Sequence, residues 1–206
     1  STRTICTIDQ IPEDLQHAVV AIEDERFYQH KGIDIRGILR AGIHGLASGR
    51  FDEGASTITQ QLLKNSVFTG WMKESSLIDR FRRKFQEQYL ALQLEKKVRK
   101  EQILEDYLNT INLGAGTYGV QAASRRYFGK SVSELNLSEC AVLAGITQNP
   151  TRYNPITHPE ENAVRRQTVL DYMLKQGYIT KEAYDEAAAD DVYARLPETD
   201  LQPQVI

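Results

Sequence analysis

Two glutamates stand in segments whose composition treats a carboxylate in opposite ways. Glu23, in EDERFYQHKG, lies at the edge of an apolar stripe, with Val19 four residues before it and Phe27 four after. Partial desolvation there favours the protonated form and suits a base that takes up a proton near neutral pH. Glu87 closes RRKFQE, one helical turn from Arg83 and Lys84, and two neighbouring cations favour its ionised form. Taken singly, each acid reads more simply as a solvated helix-end group or a structural ion pair. Two acids whose surroundings push them apart point to acid–base chemistry. Between them runs GASTITQQLLKN, Gly54 to Asn65. Here Ser56, Thr57, Thr59, Gln60, Gln61, Lys64 and Asn65 bring hydroxyls, amides and one ammonium to a helix N-terminus, a set suited to phosphate or sugar oxygens. A well-capped surface helix would carry the same letters. His30 has no second ligand at a usable spacing, so it is not read as a metal site.

Helices must position these groups. Pro12, with Glu13 and Asp14 against the dipole, opens a helix over Ile11 to Phe27 whose buried stripe is Leu15, Ala18, Val19 and Ile22. From Gly32 to Phe51 the pattern is a weak cationic amphipathic helix, with Ile35, Leu39, Ile43 and Leu46 on one side and Lys31, Arg36, Arg40 and Arg50 supplying charge. Its glycines each lower helix stability by roughly 1 kcal/mol, and either a membrane interface or the protein core could order it. Thr57-x-x-Gln60 has capping-box spacing ahead of Leu62 and Leu63. Ser76 to Val98 predicts a central helix, apolar on two sides: Phe81, Phe85, Tyr89 and Leu92 on one, Leu90, Leu94 and Val98 on the other. KEQILEDYLNTINLG predicts a helix stopping at Gly114. Another follows in TYGVQAASRRYFGK, where Ala122 and Ala123 allow close approach and Gly129 suits the C-terminal cap. Ser138 to Ile146 is a short core helix, and two more span Glu160 to Gln176 and Thr180 to Asp190. Without a βαβ rhythm or internal repeat, the fold is all or mostly α.

The 206 residues, 41% hydrophobic and 26% charged, suit one globular domain. A net charge of -3 excludes a generally basic nucleic-acid surface. Cys6 and Cys140 are too few for a disulfide framework, and Cys140, inside CAVLAGI, reads as a buried unreactive thiol. No apolar run approaches the roughly 20 residues of a membrane span. A start at Ser1 suggests an excised fragment, and 197–206 reads as a linker towards a further domain.

Five segments in order, EDERFYQHKG, GASTITQQLLKN, RRKFQE, KEQILEDYLN and TYGVQAASRRYFGK, run from Glu23 to Lys130 and are followed by LSECAVLAGITQNPTRYNP. With them the chain resembles a peptidoglycan glycosyltransferase domain, the family 51 transglycosylase module of class A penicillin-binding proteins and monofunctional transglycosylases. The long 66–82 connection, with Trp71 and Met72, departs from the family pattern. The resemblance implies a mainly α, lysozyme-like domain over 1–206, with a small membrane-contacting subregion at 32–53 that presents Ile35, Leu39, Ile43 and Leu46. It implies that Glu23 is the general base that deprotonates the 4-hydroxyl of the acceptor lipid II, with undecaprenyl pyrophosphate leaving the growing glycan. Glu87 would organise the donor end, and Lys64, Arg83 and Lys84 would meet the pyrophosphate. Asp24, Ser56, Thr57, Gln60, Gln61 and Asn65 would bind or position substrate, and Phe27, His30 and Gly32 would shape the cleft. The implied partners are lipid II, the growing glycan strand and a membrane surface, with no nucleic acid, at the extracytoplasmic face of a bacterial cell membrane. A transpeptidase domain in the parent chain and assistance by a divalent cation, Mg or Mn, are left open. The alternative is a lysozyme-like glycoside hydrolase, which needs two carboxylates but neither pyrophosphate-binding cations nor a lipid-facing segment. A non-catalytic binding module would carry no need for both acids.

Overall fold

The computed structural model describes residues 5–48, 55–66 and 76–198; the remainder of the 32–53 subregion, Gly54, Trp71, Met72 and most of the 197–206 tail lie outside them. The described residues are mainly α-helical, as expected, and their one β feature is an isolated bridge between Asn112 and Tyr118. The chain forms two compact units. One comprises Ser1–Glu23 with Leu108–Ile206, the other Asp24–Tyr107.

In the first unit α1 (Glu13–Glu23) begins directly after Pro12 and buries Leu15, Ala18, Val19, Val20 and Ala21. It packs on α7 (Leu137–Ala144) and α8 (Pro159–Lys175). α7 is buried on every side from Ser138 to Ala144, which explains its almost wholly apolar composition. Its N-terminus is closed by a capping box in which the Asn136 and Glu139 side chains each accept the other's backbone N–H. Cys140 is buried there, and burial pushes its thiol pKa well up. α6 (Val120–Phe128) ends at Gly129 in the left-handed conformation, as its C-terminal glycine predicts. Ala123 is buried in that helix but Ala122 is exposed, so only one of the two alanines serves close packing.

The helix expected to continue to Gly114 ends earlier: α5 is Lys100–Thr110. Its successor residues fold back, with the Gly119 N–H donating to the Ile111 carbonyl at 2.8 Å and the Leu113 N–H to the Thr117 carbonyl at 3.0 Å. Gly119 has φ +88°, and a Cβ there would lie 2.5 Å from the Asn109 carbonyl oxygen. Only glycine allows that approach, and the turn it makes displaces the last helical turn read from the pattern.

In the second unit α2 (Ile35–Ser48) starts behind Asp34, whose Oδ1 accepts the Gly37 N–H at 3.1 Å. Arg26 holds the same carboxylate with Nε at 2.9 Å and Nη2 at 2.8 Å. Burial works against the Asp34 charge, yet the Arg26 hydrogen bonds outweigh it and keep the pKa below the usual carboxylate range. α3 (Ile58–Ser66) packs on α4 (Leu77–Lys97). α4 corrects the sequence expectation. Glu87 and Ala91 are its buried residues, whereas Phe81, Phe85 and Tyr89 are 59%, 68% and 61% exposed, joined on the surface by Leu77 and Ile78. The side of α4 that is covered meets polar α3 residues and backbone, so a stripe counted as core from its spacing faces outward.

Candidate functional site

Glu23 is the last residue of α1 and is half-buried. Its Oε1 accepts a hydrogen bond from the Thr147 hydroxyl, a donor at a helix end that otherwise carries partial negative charge. Thr147 falls within LSECAVLAGITQNPTRYNP but is not among the residues that the sequence assigns to the site. It is 124 residues from Glu23, and nothing local in ITQNP marks it.

The second unit gathers most of the remaining candidates into one network built on the first turn of α3. The Thr57 N–H donates to Gln60 Oε1 at 3.0 Å and the Gln60 N–H to Thr57 Oγ1 at 3.1 Å, the reciprocal capping box expected from T-x-x-Q. Asp24 Oδ2 takes the Ile58 N–H at 3.0 Å, and Thr57 Oγ1 donates to the Gly32 carbonyl at 2.7 Å. These contacts occupy first-turn groups that sequence alone left available to an anion. Asp24, Thr57 and Gln60 are 6% exposed or less, so they frame the site from inside.

Glu87 is 5% exposed and reaches this frame through Gln60, whose Nε2 donates to its Oε1 at 3.2 Å. The Lys84 ammonium lies 3.2 Å from the same oxygen and 2.5 Å from Ser56 Oγ, with its side chain 43% exposed. A buried carboxylate held by a half-exposed cation leaves that cation's third N–H donor for a further partner. Gln61 closes the group, taking the Tyr107 hydroxyl at 3.0 Å and reaching the Ser56 carbonyl at 3.4 Å. Arg83, one residue before Lys84, is half-buried, while Lys64 and Asn65 are exposed at the far end of α3.

Beneath the network lies an acid–cation cluster that the sequence reading missed. His30 Nε2 is 2.7 Å from Asp24 Oδ2, and Glu95 stands 3.4 Å from Nδ1. Lys100 meets Glu95 at 2.5 Å and sits 4.6 Å above the buried Phe27 ring. Thr59 donates to Glu95 at 2.9 Å. Nδ1 also faces two donors, the Gly32 N–H at 3.0 Å and Lys100 at 3.2 Å, so the neutral ring carries its proton on Nε2 and gives it to Asp24. Burial works against a charge on the ring, but the hydrogen bonds with Asp24 and Glu95 outweigh it and raise its pKa. For Glu95 the same burial is outweighed by His30 and Lys100, which hold the pKa below its ordinary value. Phe27, His30 and Gly32 therefore stand under the α3 frame rather than exposed to a ligand.

Ile35, Leu39 and Ile43 are 63%, 62% and 70% exposed along one stripe of α2, beside exposed Arg36 and Arg40. Leu46 continues the spacing, its side chain lying outside the described residues. No helix among the described residues is long and apolar enough to cross a membrane, and no described group of three His, Cys, Asp or Glu could hold a metal ion.

A family model described as Transglycosylase matches residues 1–174. Penicillin-binding protein 1A of Clostridium perfringens strain 13 is 47% identical over 194 residues, which cover 90% of this chain and 28% of that protein. The Aquifex aeolicus protein of the same name is 48% identical over 185 residues, covering 90% and 24%, and that of Escherichia coli K12 is 44% identical over 188 residues, covering 91% and 21%. Among solved structures, penicillin-binding protein 1A from Haemophilus influenzae matches with a TM-score of 0.53 and 27% identity, over 92% of this chain and 18% of that one. The chain thus spans about a quarter of the length of the curated relatives it matches. Since the family model covers most of its residues, the chain belongs to the transglycosylase family.

Proposed function

We propose that the chain is a peptidoglycan glycosyltransferase domain that polymerises lipid II into β-1,4-linked glycan strands with release of undecaprenyl pyrophosphate. The observation that carries this reading is the division of labour between its acids. Glu23 is half-buried with a hydroxyl donor, whereas Glu87 is buried and tied to a cation whose head stays accessible.

In this reading Glu23 accepts the proton of the acceptor's 4-hydroxyl as that oxygen attacks the anomeric carbon of the donor. The new C1–O4 bond forms as the C1–O bond to pyrophosphate breaks, and the electron pair leaves with the pyrophosphate. Inversion at C1 turns the α-linked donor into a β-linked product. Lys84, Arg83 and Lys64 meet the charge of the departing group, and Glu87 fixes Lys84 on Ser56. Asp24, Thr57 and Gln60 position the frame; Gln61 and Asn65 line its surface. The exposed Ile35–Leu39–Ile43 stripe with Arg36 and Arg40 suits a lipid interface. The same reading assigns the domain to the extracytoplasmic face of a bacterial membrane. A lysozyme-like hydrolase would have no use for the ammonium beside Glu87 or for the α2 stripe.

The test is incubation of the parent chain and Glu23→Gln with labelled lipid II, reading glycan length on gels. The parent should make ladders of polymer, and the folded amide variant should lose on the order of 10²-fold or more in rate. A folded Glu23→Gln chain working at near-parental rate removes Glu23 from the role of base. Soluble sugars released from finished peptidoglycan would favour the hydrolase.

A further inference from the structure

The route by which the chain reaches Thr147 is fixed by core packing. α7 ends at Ala144, and the Gly145 N–H to Ala141 carbonyl bond at 3.0 Å and the Ile146 N–H to Leu143 carbonyl bond at 3.1 Å tighten it into a turn. Ile146 is fully buried, and a Cβ on Gly145 would lie 3.3 Å from the Ala141 and Val142 carbonyl oxygens. The backbone of Thr147 therefore has little freedom. Its Oγ1 has two acceptors within reach, Glu23 Oε1 and the Ala144 carbonyl at 3.0 Å. A hydroxyl carries one proton and two acceptor sites, so it donates to one of them at a time.

That choice matches the two states of a base. With Glu23 ionised, the hydroxyl donates to the carboxylate. With Glu23 protonated, the carboxyl O–H donates to Thr147 Oγ1, and the hydroxyl proton turns to the Ala144 carbonyl, an acceptor at a helix end where carbonyls lack helical partners. Neither state strands a polar group.

We propose that Thr147 is the positioning residue of Glu23, holding its carboxyl in one orientation in both protonation states by rotating a single hydroxyl proton between Glu23 and the Ala144 carbonyl. The proposal rests on the reading of Glu23 as general base. No bond at Thr147 is made or broken; the proton that moves comes from the acceptor hydroxyl and goes to Glu23. Thr147 acts through Glu23, so its loss falls on turnover rather than on substrate capture.

The experiment compares the parent chain with Thr147→Val, Thr147→Ala, Thr147→Ser and Glu23→Gln in lipid II polymerisation, with melting temperatures measured alongside. Thr147→Val keeps the branched shape without the hydroxyl, and Thr147→Ala removes it with no new methyl contact. Both are expected to lower kcat on the order of 10-fold, the worth of one hydrogen bond, with KM within about twofold. Thr147→Ser, which restores the hydroxyl, should return kcat to within about threefold of the parent. Parental kcat in the folded Val or Ala variants, equal losses in Val and Ser, or a rise in KM at constant kcat would each overturn the proposal. If Thr147→Val is parental while Glu23→Gln is inactive, the positioning role falls and the base stands. If Glu23→Gln is itself parental, the underlying reading falls first.

Discussion

At His30 an imidazole is held by two carboxylates strongly enough that its pKa rises despite burial. The folded value lies above the unfolded one of about 6.5, so the charged ring contributes stability that is fully present below about pH 6.5 and is lost as pH rises through the folded value. We expect the parent chain to lose stability across that window in denaturant melts, and His30→Gln to show a flatter profile. A parent as stable at about pH 8.5 as at about pH 6 would contradict the cluster's charge. Lys84 gives a second test. Lys84→Met leaves Glu87 buried with Gln60 as a partner, and should reduce activity by at least 10-fold and stability by about 1 kcal/mol. Adding Glu87→Gln removes the stranded charge and should restore the melting temperature but not the activity. Recovery of both would make the Lys84–Glu87 pair structural. At this scale the local pairs were legible, because the T-x-x-Q box and the Lys84–Glu87 spacing are fixed by helical geometry. Glu95, Lys100 and Thr147 were not, since their partners come from distant segments.

Elements show where period alone misleads. Pro12 and the T-x-x-Q box mark where α1 and α3 begin, and the structure adds caps at Ser76 before α4 and Thr180 before α9 (Lys181–Ala189), whose side chains accept the Asp79 and Ala183 N–H. The spacing of Phe81, Phe85 and Tyr89 predicts a central helix, yet they are exposed, because apolar spacing says that a face is apolar, not what will cover it. The covered face instead reflects a backbone approach. Gly32, at φ +117°, would place a Cβ 2.5 Å from the Ala91 carbonyl oxygen. Gly32→Ala must therefore move loop and helix apart and strain its own backbone, for an expected loss of about 2–4 kcal/mol. It should also weaken the Thr57 hydroxyl's bond to the Gly32 carbonyl. Thermal melts check this: a variant within about 0.5 kcal/mol of the parent would show that the contact yields at little cost. On α2, exposed Leu39 and Ile43 can take charge without disturbing a core. Leu39→Glu with Ile43→Glu should leave the fold intact and weaken vesicle binding and polymerisation of full-length lipid II, with a smaller loss on a short-chain analogue. An unfolded double variant, or unchanged vesicle binding, would count against a lipid-facing stripe.

Taken as a whole, the molecule divides its stability unevenly. In the first unit α1, α7 and α8 enclose a continuous apolar core, with Leu15, Ala18, Val20, Cys140, Ala141, Val142, Val169 and Leu170 all at 0% exposure. The buried Arg166 ties that core to the chain's later turns, donating from Nη2 to Ser138 Oγ at 3.0 Å and to the Ala187 carbonyl at 2.5 Å. The described residues of α2 show no such core. Its Ile35, Leu39 and Ile43 face outward, and Gly37, Gly42 and Gly45 each weaken a helix by roughly 1 kcal/mol relative to alanine. A helix of this length is marginal in water on propensity alone, whereas each exposed aliphatic side chain moved into lipid would contribute about 1.5–3 kcal/mol. The two sums point the same way: α2 should open most readily in free solution and gain most from an interface. Hydrogen exchange should therefore find the α7 amides slowest and those of α2 faster by orders of magnitude. Vesicles containing anionic phospholipid should slow α2, drawn by Arg36 and Arg40, while leaving α7 and α9 unchanged. Exchange in α2 as slow as in α7 without vesicles, or indifferent to them, would mean that this helix is ordered by the protein and that membrane attachment lies elsewhere.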